Sequence, residues 1–289
     1  MTVTDTIPAP RRRSAFWTAF SRNRLSWIGL GLLLIIVGAA VFAPLIAPYD
    51  PLKQNIIHRL QPPSAEFWLG TDTYGRDVLS RILYGARISL VIGLVAVAIA
   101  MVIGSAIGIL SGFIGGTFDR VVMSVLDVML SFPTLLLGLM VAAMLGASFQ
   151  NLIIAIAITE IAPFARVARA PTISLKQRDF IEAGRAMGFS RGRLMGRHIF
   201  PNMVSEVVVM GSMWMASAIR TEASLSFIGL GVAPPTPTWG SMIREGFDNI
   251  LDSWWLAVFP SIAILLTVLA LNILGDALRD AIDPKTRVE

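Results

Sequence analysis

Four stretches of this chain leave a soluble fold almost no room. Residues 27–46, 88–114, 121–144 and 254–275 are continuously apolar, and Asp127 is the one charged residue among them. Crossing a bilayer as helix takes about 20 such residues. Two further stretches, about 152–168 with Glu160 and about 204–232 with Arg220 and Glu222, are less clean but long enough. Overall, 55% of the 289 residues are hydrophobic and 15% charged, against about 25% charged in an ordinary soluble domain. The fold class these numbers imply is an all-α polytopic membrane protein with six transmembrane helices.

The residue types that remain exclude several chemistries. There is no Cys, so disulfides, thiolate nucleophiles and cysteine zinc sites are out. His58 and His198 are the only histidines, too few for a histidine metal centre. No Gly-Lys pair occurs, so the chain has no phosphate-binding loop. Gly188-Phe-Ser-Arg-Gly192 matches the Gly-x-Ser-x-Gly elbow of hydrolases. That elbow needs a preceding strand and a later acid and histidine, whereas a helix-like segment precedes this one and no acid separates it from His198. No catalytic residue, cofactor or metal is expected.

The formal charge of +5 might suggest nucleic acid, but its distribution reads as topology. Arg11, Arg12, Arg13, Arg22 and Arg24 precede the first span. Arg120 lies between the second and third, and Arg166, Arg169, Lys176, Arg178, Arg185, Arg191, Arg193 and Arg197 follow the fourth. Alternate loops are poorer in cations, so both termini and residues 171–202 are expected in the cytoplasm, with 48–87 and 233–253 outside. The first span is longer than the 7–15 apolar residues of a cleaved signal and reads as retained. In the second span Gly104, Gly108 and Gly112 recur on one helical face, a spacing that lets helix backbones approach closely in lipid.

The most patterned loop is 171–202. Residues 179–188 read as a short helix with Phe180, Ala183, Ala186 and Met187 on one face and Gly188 as a left-handed stop. Ser190 then caps a second helix through Leu194, Met195 and Ile199 that Pro201 breaks. Two short helices with one exposed apolar face make either a docking knob or an amphipathic element lying on the membrane surface.

Glu182-Ala183-Gly184, with Gly188 and Pro201 beyond it, resembles the EAA signature of ABC importer permeases. Gly184 stands where Ala is usual, and Phe200 where Leu is usual. His198-Ile-Phe-Pro-Asn202 is similar to the ending found in the dipeptide/oligopeptide/nickel branch. So are Trp68-Leu-Gly-Thr-Asp-Thr-Tyr-Gly-Arg-Asp-Val-Leu-Ser-Arg81 with Gly85-Ala-Arg-Ile-Ser-Leu90, and Glu222-Ala-Ser-Leu-Ser-Phe-Ile-Gly-Leu-Gly231 with Pro234-Pro-Thr-Pro-Thr-Trp-Gly240. Together with the extra first span, these resemble a C-type permease over about 26–284. The resemblance implies a tail, first span and outer loop over 1–87, a type-1 transmembrane domain over 88–277, and a tail over 278–289. It further implies that Glu182, Ala183, Gly184, Gly188 and Pro201 belong to a loop that couples to an ATPase. The implied partners are a second similar permease, two ATPase subunits, an extracytoplasmic binding protein and a peptide substrate, all at a bacterial inner membrane. Nickel chelates, glutathione and other small solutes are the alternative cargoes.

Asp127, Glu160, Arg220 and Glu222 remain as candidates for lining the path or for pairing within the bundle. Counted from the expected cytoplasmic ends, Asp127 and Glu160 lie about 10 Å deep and Arg220 about 24 Å, with Glu222 beyond it. Arg220 and Glu222, two apart on a helix, do not face each other and should have separate partners. A rival reading, a proton-coupled transporter relaying through Asp127 or Glu160, would need no ATPase.

Overall fold

A computed structural model describes residues 24–282 of the chain. The expectations placed on Arg11, Arg12, Arg13 and Arg22 at one end, and on the last residues at the other, lie outside the described residues. Eleven α-helices follow one another along the described chain: α1 Arg24–Val41, α2 Ala43–Ile46, α3 Val78–Ile114, α4 Gly116–Ser131, α5 Thr134–Leu145, α6 Phe149–Lys176, α7 Asp179–Ala186, α8 Arg191–Leu194, α9 Phe200–Ile228, α10 Trp239–Phe247 and α11 Trp255–Ile282. Among the described residues five helices are long and apolar enough to cross a membrane, or six if α4 and α5 count as one span.

The third expected span is the one the structure breaks. α4 and α5 meet at 94°, where Phe132 is extended (φ −84°, ψ 139°) in front of Pro133. A residue before proline is pushed out of the helical region, and proline brings no N–H to continue the ladder. Pro201 does the opposite of what was expected. α8 continues through a π turn, Met195–Ile199, straight into α9, and Pro201 occupies the first turn of that helix. The π register sends the Phe200 N–H to the Met195 carbonyl, and this local widening accommodates the proline ring within a continuous helix.

α3 has 37 residues, about 55 Å of helix, and stands well beyond a hydrocarbon core of about 30 Å. It starts ten residues before the expected 88 because Asp77 caps it, accepting from the Ser80 N–H at 2.8 Å. α6 pairs with it along the glycine face. A Cβ added to Gly108 would run into the Ala165 carbonyl oxygen, and one on Gly104 would lie 2.5 Å from that of Ile161. The close approach expected of that face is thus made to α6. Around this seam lies the main core, where Ile92, Ile156, Phe164, Leu194, Ile199 and Met203 are buried together. α9 packs on α3, α6 and α11, and α1 lies against α11.

At the α10 end, residues 47–77 fold down over α10 and α11. The Trp255 indole donates to the Thr71 carbonyl at 3.3 Å, and the Trp239 indole to that of Ile82 at 3.1 Å.

Candidate functional site

α7 is built for display at the opposite end of the bundle. Asp179 and Glu182 lie in its first turn and Arg185 in its last, charges that suit the helix dipole. Its stop is the expected one: Gly188 is left-handed (φ +79°), and the Phe189 N–H reaches back to the Gly184 carbonyl at 3.0 Å. Ser190 caps α8, accepting from the Arg193 N–H at 3.3 Å.

The two faces of α7 differ sharply. Ile181 and Gly184 are buried, in company with Leu194 and Phe189. Phe180, Glu182, Ala183, Ala186, Met187 and Gly188 are exposed. Gly184 has a reason beyond helix propensity, since a Cβ there would come within 2.9 Å of Leu194 Cδ2. The anchored side is stiffened by cations over rings: Arg193 lies 4.0 Å from the Phe189 ring centre, and Arg185 5.7 Å from that of Phe113. Phe200 and Pro201 are exposed next to it. The result is an apolar knob on a fixed base, with Glu182 as a free-standing charge beside it.

The intramembrane charges have distinct surroundings. Asp127 on α4 is exposed and pairs with Arg166 of α6 at 2.5 Å. Nearer to α7, Asp119 takes both Arg169 Nε (2.6 Å) and a terminal nitrogen (2.5 Å), and Ser111 donates to it as well. Sequence reasoning missed this second pair, because Asp119 and Arg169 lie 50 residues apart and each reads alone as an interfacial charge. The two pairs clamp α4 onto α6.

Glu222 is fully buried and accepts from Ser226 at 2.8 Å. Glu160 is 2% exposed, and its Oε1 has no hydrogen-bond partner. It lies beside Ser217 and within electrostatic reach of Arg220 on α9. Arg220 itself is exposed. Arg220 and Glu222 thus have different surroundings, Glu222 bonded to Ser226 and Arg220 within reach of Glu160 but paired with no acid among the described residues. α6 runs past 168 to Lys176, so along their helices Glu160 lies about 24 Å from that end and Arg220 about 30 Å from the start of α9.

A third group gathers around the Trp68–Arg81 segment. Arg76 bridges Asp72 (2.6 Å) and Glu245 (3.1 Å), and Arg81 bridges the same two acids (3.3 and 3.2 Å). Both arginines and Asp72 are almost entirely buried. Two cations and two anions balance, which a buried cluster requires. The network pins residues 47–77 to the start of α3 and to α10. Only the Asp72–Arg76 spacing was readable locally, since Glu245 comes from α10.

Comparison with known proteins follows the same lines. Residues 104–288 match the binding-protein-dependent transport system inner membrane component family, and residues 13–63 match the N-terminal TM domain of oligopeptide transport permease C. The chain is 42% identical to the di/tripeptide transport system permease protein DppC of Pseudomonas aeruginosa, over 97% of this chain and 94% of that protein. It is 40% identical to the dipeptide transport system permease protein DppC of Alkalihalophilus pseudofirmus, over 95% and 90%. To the glutathione transport system permease protein GsiD of Escherichia coli it is 45% identical, over 94% and 90%. This chain is a multi-pass inner-membrane protein that belongs to the family of binding-protein-dependent transport system inner membrane components.

Proposed function

We propose that the chain is one permease subunit of an ATP-binding-cassette importer and passes dipeptides or oligopeptides inward by alternating access. The observation that carries this reading is α7, whose apolar face stands exposed on a buried base of Ile181 and Gly184. A helix so displayed suits a cleft on another subunit, and its sequence resembles the coupling segment of such permeases. ATP hydrolysis then belongs to two partner ATPases that grip this segment and its counterpart on a second permease, while a binding protein delivers cargo outside. The relatives named for dipeptides, for di- and tripeptides and for glutathione share a cargo type, since glutathione is itself a tripeptide. The chain acts at 88–277, with 171–202 as the coupling segment. The proton-relay alternative fits less well at Asp127, which is already held by Arg166.

The test is uptake of a labelled dipeptide by the reconstituted complex. We expect uptake to require ATP and the binding protein and to persist after a protonophore collapses the proton gradient. Uptake that follows the gradient without the ATPases would exclude the proposal.

The distribution of positive residues supports a topology with both termini and 171–202 in the cytoplasm. Because the chain contains no Cys, a single Ser190→Cys substitution reports this directly. It should resist an impermeant thiol reagent in intact cells and react once the membrane is opened. Labelling from outside would invert the topology.

A further inference from the structure

Arg220 lies on the exposed side of α9, about 13 Å along the axis from its Gly229 end, within a helix of membrane-spanning length. A guanidinium stays ionised in a protein and is costly to place against hydrocarbon. This face of α9 therefore meets water or another protein, not lipid. Its composition agrees: one turn to either side are Ser217 and Ser224, both half-buried, which continue a polar stripe. α5 packs close by, with Gly138 against Thr159, Thr221 and Leu225, and leaves Arg220 uncovered.

Glu160 stands behind the stripe. It is buried, one of its oxygens is unpartnered, and it makes no ion pair within 4 Å among the described residues. It stands within electrostatic reach of Arg220 without pairing with it and leaves the guanidinium donors unspent. An acid from a second permease at this point would put two carboxylates around one cation, and an unbalanced buried cluster of that kind is unfavourable. A carboxylate in passage is different, because a compensated cation holds it weakly enough to release it, as conduction requires.

We infer that Arg220 is a specificity-determining residue of the translocation path, offering its guanidinium to carboxylates on the passing solute, and that Glu160 is a positioning residue that moderates its hold. This deepens the importer reading proposed above and rests on it.

The experiment measures uptake of Ala-Ala, Ala-Glu and Ala-Lys by the whole complex with Arg220→Gln and Arg220→Lys, each divided by wild-type uptake of the same peptide. The same binding protein delivers every peptide, so its own selectivity cancels in that ratio. For Arg220→Gln we expect normal assembly and a loss for Ala-Glu about tenfold greater than for Ala-Lys, the scale of one charge-assisted hydrogen bond. Arg220→Lys should keep most of the difference. In a parallel arm, Arg220→Cys in this Cys-free chain should react with a small impermeant thiol reagent several-fold faster during ATP turnover than at rest. Proportional loss of all three peptides overturns the inference. So does failed assembly of Arg220→Gln that is reversed by neutralising an acid in the second permease, and so does labelling that ignores turnover. A wild-type complex that takes up none of the peptides counts against the peptide reading instead, and the labelling arm still decides whether Arg220 faces the path.

Discussion

Glu182→Arg and Gly188→Asp are expected to give chains that insert, fold and accumulate normally yet support no ATP-driven uptake. Glu182 is exposed and makes no ion pair among the described residues, so reversing its charge breaks no ion pair inside the chain and costs at most about 1 kcal/mol against the helix dipole. What changes is the face offered to a partner, where a charge placed against its own kind or left unpaired costs several kcal/mol. Gly188 stands in open space, with no atom within 4 Å of where a Cβ would point, but at φ +79°. A side chain there strains the backbone by roughly 1–2 kcal/mol and projects from the turn next to Met187. Neither penalty reaches the membrane core, because α7 is held by Ile181 beneath it. Ser190→Ala serves as the control: it removes one cap, worth about 1 kcal/mol, and leaves the exposed face intact, so it should transport. The measurement is uptake per assembled complex. Normal uptake in both charged variants at normal expression would remove α7 from the coupling role.

The elements legible in the sequence were those set by neighbours along the chain. The stop at Gly188 and the cap at Ser190 depend on residues within one turn, and both stand as expected. The glycine face of α3 was readable for the same reason, although its partner was not. Hydropathy located the spans but could not see the corner at Phe132-Pro133, because an average over apolar residues carries no information about backbone angles. Proline alone was a poor guide: Pro163 and Pro171 sit inside α6 and Pro201 in the first turn of α9, while Pro133 ends a helix. The charge clusters were hidden by distance, with Arg81 and Glu245 separated by 164 residues. The end of α6 was misjudged because hydropathy faded at 168 while the helix went on to Lys176. Helix length and membrane thickness are separate quantities, so the end of an apolar stretch does not mark the end of its helix.

Gly108→Ala is expected to prevent stable assembly of the bundle, though it adds a single methyl group. Ala normally favours a helix by about 0.5–1 kcal/mol over Gly, so any destabilisation must come from what that methyl meets. At Gly108 it meets the Ala165 carbonyl oxygen, well inside van der Waals contact, and the Ala168 Cβ at 2.9 Å. Neither can rotate away, so α3 and α6 must separate, and the seam between Ile92, Phe164 and Ala168 opens with them. Overpacking of this kind costs typically about 1–3 kcal/mol and more where the obstacle is rigid. The glycines supply their own calibration. Gly104 would place its methyl 2.5 Å from the Ile161 carbonyl oxygen, less close than Gly108 to its own obstacle, and Gly112 would stand 3.0 Å from that of Arg169, whereas Gly31 has nothing within 4 Å. The Ala variants should therefore rank by loss of thermal stability in detergent as Gly108, Gly104, Gly112, with Gly31→Ala neutral or slightly stabilising. Lipid supplies little hydrophobic drive between helices, so close backbone contact carries more of the association here than in a soluble core. A Gly108→Ala chain as stable as Gly31→Ala would mean that α3 and α6 do not meet along this face.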